Sequence, residues 1–392
     1  MLRFFSPSQI SAGFVSILVG YTSAAVIIFQ AAQAGGATAE QTGSWLWALG
    51  LGMGICSAAL SIYYRTPVLI AWSTPGAALL VTSLHGVPMS EAIGAFIFSS
   101  TLITLCGLTG WFNRIMALVP KSLAAAILAG VLLRFGLAVF PGLEQQLPMV
   151  GCMIASYLIG KVLIPRYVIP LTFGFGIAFA ALSGQLHFDN VDFALTSPVF
   201  VMPTFNINTL ISVGIPLFVV TMASQNVPGL ATLRAHGYQV PASPLITWSG
   251  ITGLLLAPFG GFAFNLAAIT AAICMGKEVD EDPDKRYISA IYAGFFYMIA
   301  GFFAATIVAL FAAFPEELVA AIAGLALLST IGNSLHAAMQ DVDHRDAAMM
   351  AFAATASGFS LFSIGSAFWG LLLGLVIFGI STHQRQRAQQ AG

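Results

Sequence analysis

Residues 66–84 read TPVLIAWSTPGAALLVTSL and residues 257–273 read APFGGFAFNLAAITAAI. Both stretches are apolar, yet each is broken near its start by Pro or Gly and falls short of the about 20 residues a membrane-crossing helix needs. The pattern predicts an extended entry followed by a half-helix in each. The breaks fall at Ser73-Thr74-Pro75-Gly76 and at Gly260-Gly261-Phe262-Ala263-Phe264-Asn265. Ser73 and Thr74 are hydroxyl N-caps, and Pro75 occupies an early helical position where its missing N–H matters least. Irregular backbone inside a bilayer survives only where protein or a water-lined cavity satisfies its polar groups. A matched pair of such breaks therefore predicts a cavity into which two helix N-termini turn unpaired N–H groups and positive dipole ends.

The surrounding chain predicts a membrane setting. Of 392 residues, 58% are hydrophobic and 7% charged, and mean hydropathy is +0.91. A soluble domain carries about 25% charged residues, so a soluble enzyme is excluded. With net charge -1 and no basic run, so is a nucleic-acid binder. The fold class is an all-α polytopic membrane protein. Apolar runs give fourteen transmembrane segments: 10–32, 44–63, 68–84, 90–110, 119–140, 148–164, 168–185, 207–225, 243–257, 261–276, 286–312, 317–338, 346–360 and 364–382. The run from Ile10 to Phe29 is longer than a signal-peptide core and reads as an uncleaved first span.

Charge placement agrees with that count. With both termini cytoplasmic, alternation puts every basic residue except Arg134 on one side, including Arg3, Arg65, Arg114, Lys121, Lys161, Arg166, Arg234, Lys277, Lys285, Arg286 and Arg345. Glu40, Glu91, Glu144, Asp189, Asp192, Glu316 and Glu317 take the other. Arg134 lies inside the fifth segment and reads either as a structural arginine near the outer end of its helix or as an attractor for an anion. Seven segments in residues 1–185, a polar connection at 186–206 and seven more in 207–392 force the halves into opposite orientation. That is the inverted-repeat arrangement of secondary transporters, with half-helices in segments 3 and 10.

Cys56, Cys106, Cys152 and Cys274 are scattered singly, and the six histidines form no ligand-spaced pair, so no metal, cofactor or catalytic residue is expected. The acidic loop Lys277–Arg286 reads as a solvated turn. Candidate substrate-binding residues are the amides and hydroxyls near the breaks: Gln30 in the first segment, Ser73, Thr74 and Gly76 in the third, Gln225 and Asn226 in the eighth, and Phe264 and Asn265 in the tenth. Gln225 and Asn226 precede Pro228 and Gly229, an expected unwound helix end. Asn265 is expected to cap its half-helix, contact substrate, or both.

The stretches IAWSTPGAALL (70–80), GLATLRAHGY (229–238) and GGFAFNLAAITAAICMG (260–276) resemble the benzoate–proton symporter (BenE) family, related to the nucleobase–ascorbate and sulfate transporter superfamily. The resemblance runs over essentially the whole chain. It implies a core domain of segments 1–4 and 8–11, a gate domain of segments 5–7 and 12–14, substrate between segments 3 and 10, and a homodimer. It further implies an inner-membrane secondary transporter importing an aromatic carboxylate, benzoate, with protons by alternating access. In the nucleobase branch, acidic residues on segments 8 and 10 bind substrate and couple protons. Here those places read Ala223-Ser224-Gln225-Asn226 and Phe264-Asn265. Neutral amides suit an anion, since a carboxylate would repel it; Phe262 and Phe264 could face an aromatic ring. The alternatives are a nucleobase or inorganic anion transporter of the same fold and an anion channel.

Overall fold

Helix α1 (Pro7–Ala34) starts on a proline and α2 (Ala39–Tyr64) on a capping box, in which Thr38 and Gln41 each bond the other's backbone N–H. The computed structural model describes residues 6–112, 120–164, 168–186, 193–361 and 364–391. Arg3, Arg114, Arg166, Asp189 and Asp192 lie outside the described residues. Strand β1 (Ile70–Trp72) leads into the short helix α3 (Thr74–Ser83), followed by α4 (Met89–Leu108), α5 (Lys121–Gln145), α6 (Leu147–Leu163) and α7 (Val168–Leu182). The second half runs α8 (Ile207–Ala235), α9 (Ala242–Leu256), strand β2 (Phe264–Leu266), the short helix α10 (Ile269–Met275), α11 (Tyr287–Phe302) and α12 (Ala304–Ala312). It ends with α13 (Glu316–Gln340), α14 (Arg345–Ser357), a β3–β4 hairpin (Ser360–Leu361, Ile364–Gly365) and α15 (Ser366–Ala391).

Among the described residues, seven helices are individually long and apolar enough to cross a bilayer, or up to nine when two bent pairs count as spans. The chain is thus a helical, multi-pass membrane protein. Besides a 42° bend within α1 and the two broken crossings described below, three predicted segments differ from simple rods. The eleventh bends by 65° between α11 and α12. Thr196, from the connection between the halves, spans this break: its N–H donates to the Phe302 carbonyl (2.8 Å) and its Oγ1 accepts from the Ala305 N–H (2.7 Å). The thirteenth stops at Ser357, three residues early, because Gly358 takes a left-handed φ of +65° and the chain turns into the hairpin. The eighth is continuous through the expected unwound end, as described below.

The connections sort onto two faces. On one, Thr209 donates to Glu91 (2.6 Å), Ser44 to the Phe259 carbonyl (2.9 Å) and Gln185 to Gln146 (3.2 Å). This acidic face also carries the start of α13 at Glu316-Glu317. On the opposite, basic face, Ser8 and Gln9 of α1 bond Val279 and Asp280, and Tyr238 donates to the Pro283 carbonyl. Arg286 fastens that loop beneath α10, donating to the carbonyls of Met275 (3.0 Å) and Asp280 (2.8 Å). A cation at a helix C-terminus meets the negative end of its dipole.

Arg134 stands near the middle of α5, not near its outer end. Its guanidinium lies against Gly358, where an added Cβ would sit 2.3 Å from one terminal nitrogen. This places the charge beside the C-terminal end of α14, a location that favours a cation.

Candidate functional site

Strands β1 and β2 pair antiparallel in the interior, with Ala71 opposite Asn265 and Trp72 opposite Phe264. Bonds from the Ser73 N–H to the Ala263 carbonyl (3.1 Å) and from the Ala267 N–H to the Leu69 carbonyl (2.9 Å) extend the ribbon. Because the strands run in opposite directions, α3 leaves at one end and α10 at the other, each with its N-terminus at the ribbon. Both predicted crossings are therefore broken, with their half-helix starts on a shared element.

A two-stranded ribbon inside a membrane leaves two edges of backbone groups needing partners. On the β1 edge, Ser57 and Ser61, one turn apart on α2, each serve as donor and acceptor. Ser61 Oγ accepts from the Val68 N–H (3.1 Å) and donates to the Val68 carbonyl (2.8 Å), and Ser57 Oγ accepts from the Ile70 N–H (2.8 Å). On the β2 edge, Asn226 Oδ1 accepts from the Leu266 N–H (2.9 Å). Close approach on that side depends on Gly229, whose Cβ would meet the Leu266 carbonyl at 2.6 Å.

Helix α8 reaches this position through two π-helical stretches, Leu210–Gly214 and Met222–Asn226. Pro216 and Pro228 follow these stretches closely. A proline offers no N–H and crowds the carbonyl four residues back, and a widened turn relieves both effects. The expected unwound end at Gln225-Asn226 is thus corrected: the helix continues to Ala235 and bulges toward β2.

Ser73 performs its expected capping role. Its Oγ accepts from the Gly76 N–H (3.0 Å) and from the Thr221 hydroxyl of α8 (3.1 Å), all fully or largely buried. Thr74 is half-buried at the first position of α3 and Gly76 is buried behind it. Asn265 does not cap α10, which has no side-chain cap. Its Nδ2 donates to the Ala263 carbonyl (3.0 Å), and its buried Oδ1 has no partner among the described residues. Phe264 turns away from Asn265 and inserts between Gly52 of α2 and Gly253 of α9, as alternation on a strand requires. Phe262 packs with Trp45 and Phe96, ring centroids 5.7 and 5.5 Å away. Gln225 and Gln30 are half-buried, with no side-chain hydrogen bond among the described residues.

One aromatic group went unnoticed in the sequence. Tyr21 of α1 meets the Trp72 ring edge-on (4.8 Å) and lies 6.3 Å from Tyr297 of α11. Its hydroxyl is buried without a hydrogen-bond partner among the described residues. Nearby, Ser16 donates to the Thr270 carbonyl at the start of α10 (3.0 Å). Ile269, the first residue of α10, is 74% exposed although its helix begins inside the protein, so open space adjoins the ribbon there.

Toward the acidic face this space is closed. Phe29 of α1, Phe173 of α7, Phe311 of α12 and Phe314 form a chain of rings with centroid spacings of 5.5–6.3 Å. A cleft of about 310 Å³ lined by Gln146, Gln185 and Phe314 lies on that face, remote from the ribbon.

The fold is similar to that of the transmembrane domain of the cyanobacterial bicarbonate transporter BicA (TM-score 0.65, 12% identity, 96% of this chain and 98% of that one). It is also similar to murine Slc26a9, an anion transporter (TM-score 0.60, 11% identity, 98% and 69%). In sequence, the chain is 48% identical over 379 residues to the inner membrane protein YdcO of Escherichia coli K12, covering 96% of this chain and 97% of that one. It is 39% identical over 375 residues to the benzoate membrane transport protein of Acinetobacter baylyi, covering 96% and 95%. The model of the benzoate membrane transport protein family matches residues 3–380. A membrane-embedded ribbon between two half-helices, in a chain with these relatives, is a transporter's architecture and not an enzyme's, and the chain belongs to the BenE family of inner-membrane transport proteins.

Proposed function

We propose that the protein imports an aromatic monocarboxylate of the benzoate type together with protons. The single observation that carries this reading is the antiparallel β1–β2 ribbon with a half-helix leaving each end. The Thr74 N–H and the positive dipole end of α3 favour an anion at Thr74, with the start of α10 contributing from the other side. Ser73 holds the α3 terminus in place. Gln30, Thr74, Gln225 and Asn265 supply neutral polar contacts, and Gly76 lets the helix start pack closely against Ser73. Asn226 and Phe264 support the ribbon from behind. The Tyr21 hydroxyl donates to the carboxylate, and Tyr21 with Trp72 supplies the apolar wall for the ring.

In this reading the chain forms fourteen segments in two inverted repeats of seven, with α11 and α12 together making the eleventh. The core comprises segments 1–4 and 8–11, and the gate segments 5–7 and 12–14. The basic face, with both termini, is cytoplasmic. The phenylalanine chain seals the outer side between core and gate, and the exposure of Ile269 fits a crevice open to the cytoplasm. Movement of core against gate alternates access, and two copies associate as a homodimer. Proton entry balances the anion's charge.

The test is uptake of labelled benzoate by proteoliposomes with an imposed pH gradient. The expected result is saturable uptake that collapses when the gradient is dissipated and is competed by substituted benzoates but not by uracil or sulfate. Competition by uracil or sulfate alone would reassign the cargo, and non-saturable current without proton dependence would make it a channel.

A further inference from the structure

Helix α13 changes character along its length. Ala321, Ile322, Ala323, Gly324 and Leu325 are all buried, whereas beyond Leu327 only Ile331, Ser334 and Ala338 are. Ser329, Asn333, His336 and Gln340 are exposed. At about 100° per residue, offsets of four, seven and eleven positions keep these four side chains within a strip of about 60° on the helix. Leu328 and Leu335 lie outside the strip and are more covered. An exposed polar strip on a transmembrane helix is costly against lipid. It is stable where it borders water.

The packing places the strip beside open space. The acidic end of α13 is held in the phenylalanine junction, where α1 buries Ala24 to Ile28 together with Ala31 and Ala32. Toward the basic face the covering is lost, on the same side of the molecule where Ile269 and Arg234 are exposed. The strip reaches from the middle of α13 at Ser329 to its C-terminal end at Gln340, where Gln340 Nε2 and His336 Nε2 lie 3.0 Å apart.

We propose that Ser329, Asn333, His336 and Gln340 form the gate-side wall of the inner crevice, a lane of polar hydrogen-bonding groups along which the carboxylate passes from the ribbon to the cytoplasm. The proposal rests on the reading of the ribbon as the carboxylate site. Polar groups about one turn apart exchange for the anion's hydration water in succession, and none of them is a lysine or arginine whose permanent charge would trap it. The strip lies on α13 alone and was not singled out by the sequence, since serine, asparagine, histidine and glutamine in the segment each read as an isolated polar residue.

The experiment uses the full chain, with its native cysteines replaced, in inside-out membrane vesicles. Single variants Ser329→Cys, Asn333→Cys, Thr74→Cys and Leu137→Cys that insert and melt like the wild type are treated with a charged, membrane-impermeant thiosulfonate. Ser329→Cys and Asn333→Cys should react at least tenfold faster than Leu137→Cys, an exposed apolar position on α5. Benzoate should slow them and Thr74→Cys several-fold. Benzoate protection at Thr74→Cys with no reaction at positions 329 and 333 overturns the lane alone. Reaction at 329 and 333 with no benzoate protection anywhere, Thr74→Cys included, overturns the carboxylate reading and with it the lane's cargo. Oxidative cross-linking of Asn333→Cys between two copies also overturns the lane, by showing that this strip meets a second chain.

Discussion

The Leu266 N–H donates to Asn226 Oδ1 at 2.9 Å, joining the middle of a transmembrane helix to the free edge of a three-residue strand. Asn226 is fully buried, and its Nδ2 lies 3.1 Å from Met222 Sδ, so both ends of the amide are engaged inside the protein. Asn226→Leu removes the acceptor and leaves a buried N–H unsatisfied, which costs about 1–3 kcal/mol. The variant should melt at a lower temperature in detergent, with a reduced transport maximum and a nearly unchanged benzoate KM. A wild-type melting temperature with benzoate binding abolished would instead make Asn226 a direct ligand.

Ser73 and Thr74 are adjacent, but their surroundings assign them different work. Ser73→Ala removes an N-cap and a partner of Thr221, with an expected loss of about 1 kcal/mol seen as a lower melting temperature. Thr74→Val keeps the shape of a half-buried side chain that makes no hydrogen bond among the described residues. It should leave stability nearly unchanged and raise the benzoate KM several-fold. Thermal unfolding and uptake on the same preparations separate the two effects.

The outline of the fold was readable because membrane spans announce themselves: apolar length, charge alternation and the two Pro/Gly-broken crossings located the ribbon to within a few residues. What supports the ribbon was harder to read. Ser57 and Ser61 look like ordinary small residues in an apolar helix, and only the partner strand gives their four-residue spacing a purpose. The π-helical stretches had a visible signal in Pro216 and Pro228, but a proline after a polar stretch equally predicts a helix end. Tyr21 was invisible for a different reason: among 31 Phe, nine Tyr and six Trp, no local pattern distinguishes the ring that faces Trp72. The direction of Phe264 was not legible, because proximity to a break does not specify which face of a strand a side chain takes.

Helices α2 and α11 cross at backbone contact. A Cβ on Gly54 would sit 2.5 Å from the Gly294 carbonyl, and one on Gly294 would sit 2.6 Å from the Gly54 carbonyl. Small residues permit such approach in membranes, where helix association depends on packing and not on exclusion of water. Gly294→Ala should separate the helices and destabilise the fold by about 1–3 kcal/mol, the range for overpacking. Gly151→Ala, where added volume meets nothing, is the matched control and should melt like the wild type. Equal melting temperatures for the two variants would refute the crossing.

Outside the membrane, the Asp282 carboxyl is held below its ordinary pKa, first by the hydrogen bond from Lys285 (2.9 Å) and then by the Asp284 N–H. A carboxyl with a lowered folded-state pKa contributes stability above its unfolded pKa and loses it as pH falls through the folded value. The pair is well exposed, so solvent screens it strongly. Asp282→Asn should therefore leave the melting temperature at neutral pH within error while slightly flattening its decline in acid. A large loss at neutral pH would mean that the pair, and not Arg286 beneath α10, fastens this loop.

Tyr21 gives a sharper separation of stability from function. Its hydroxyl is buried beside Trp72 without a hydrogen-bond partner among the described residues. Deleting an unsatisfied buried polar group removes a desolvation penalty, so Tyr21→Phe should melt at the same temperature as the wild type or higher. Bound carboxylate changes the account, because a hydrogen bond to a charged acceptor contributes about 1.5–3 kcal/mol. Losing it should raise the benzoate KM by roughly tenfold to a hundredfold, at about 1.4 kcal/mol per decade. Trp72→Phe keeps an aromatic wall and should affect KM less. The decisive comparison is the stabilisation given by saturating benzoate: large for the wild type and much reduced for Tyr21→Phe. If benzoate stabilises both proteins equally, the hydroxyl does not face the carboxylate, and the apolar wall belongs to another part of the crevice.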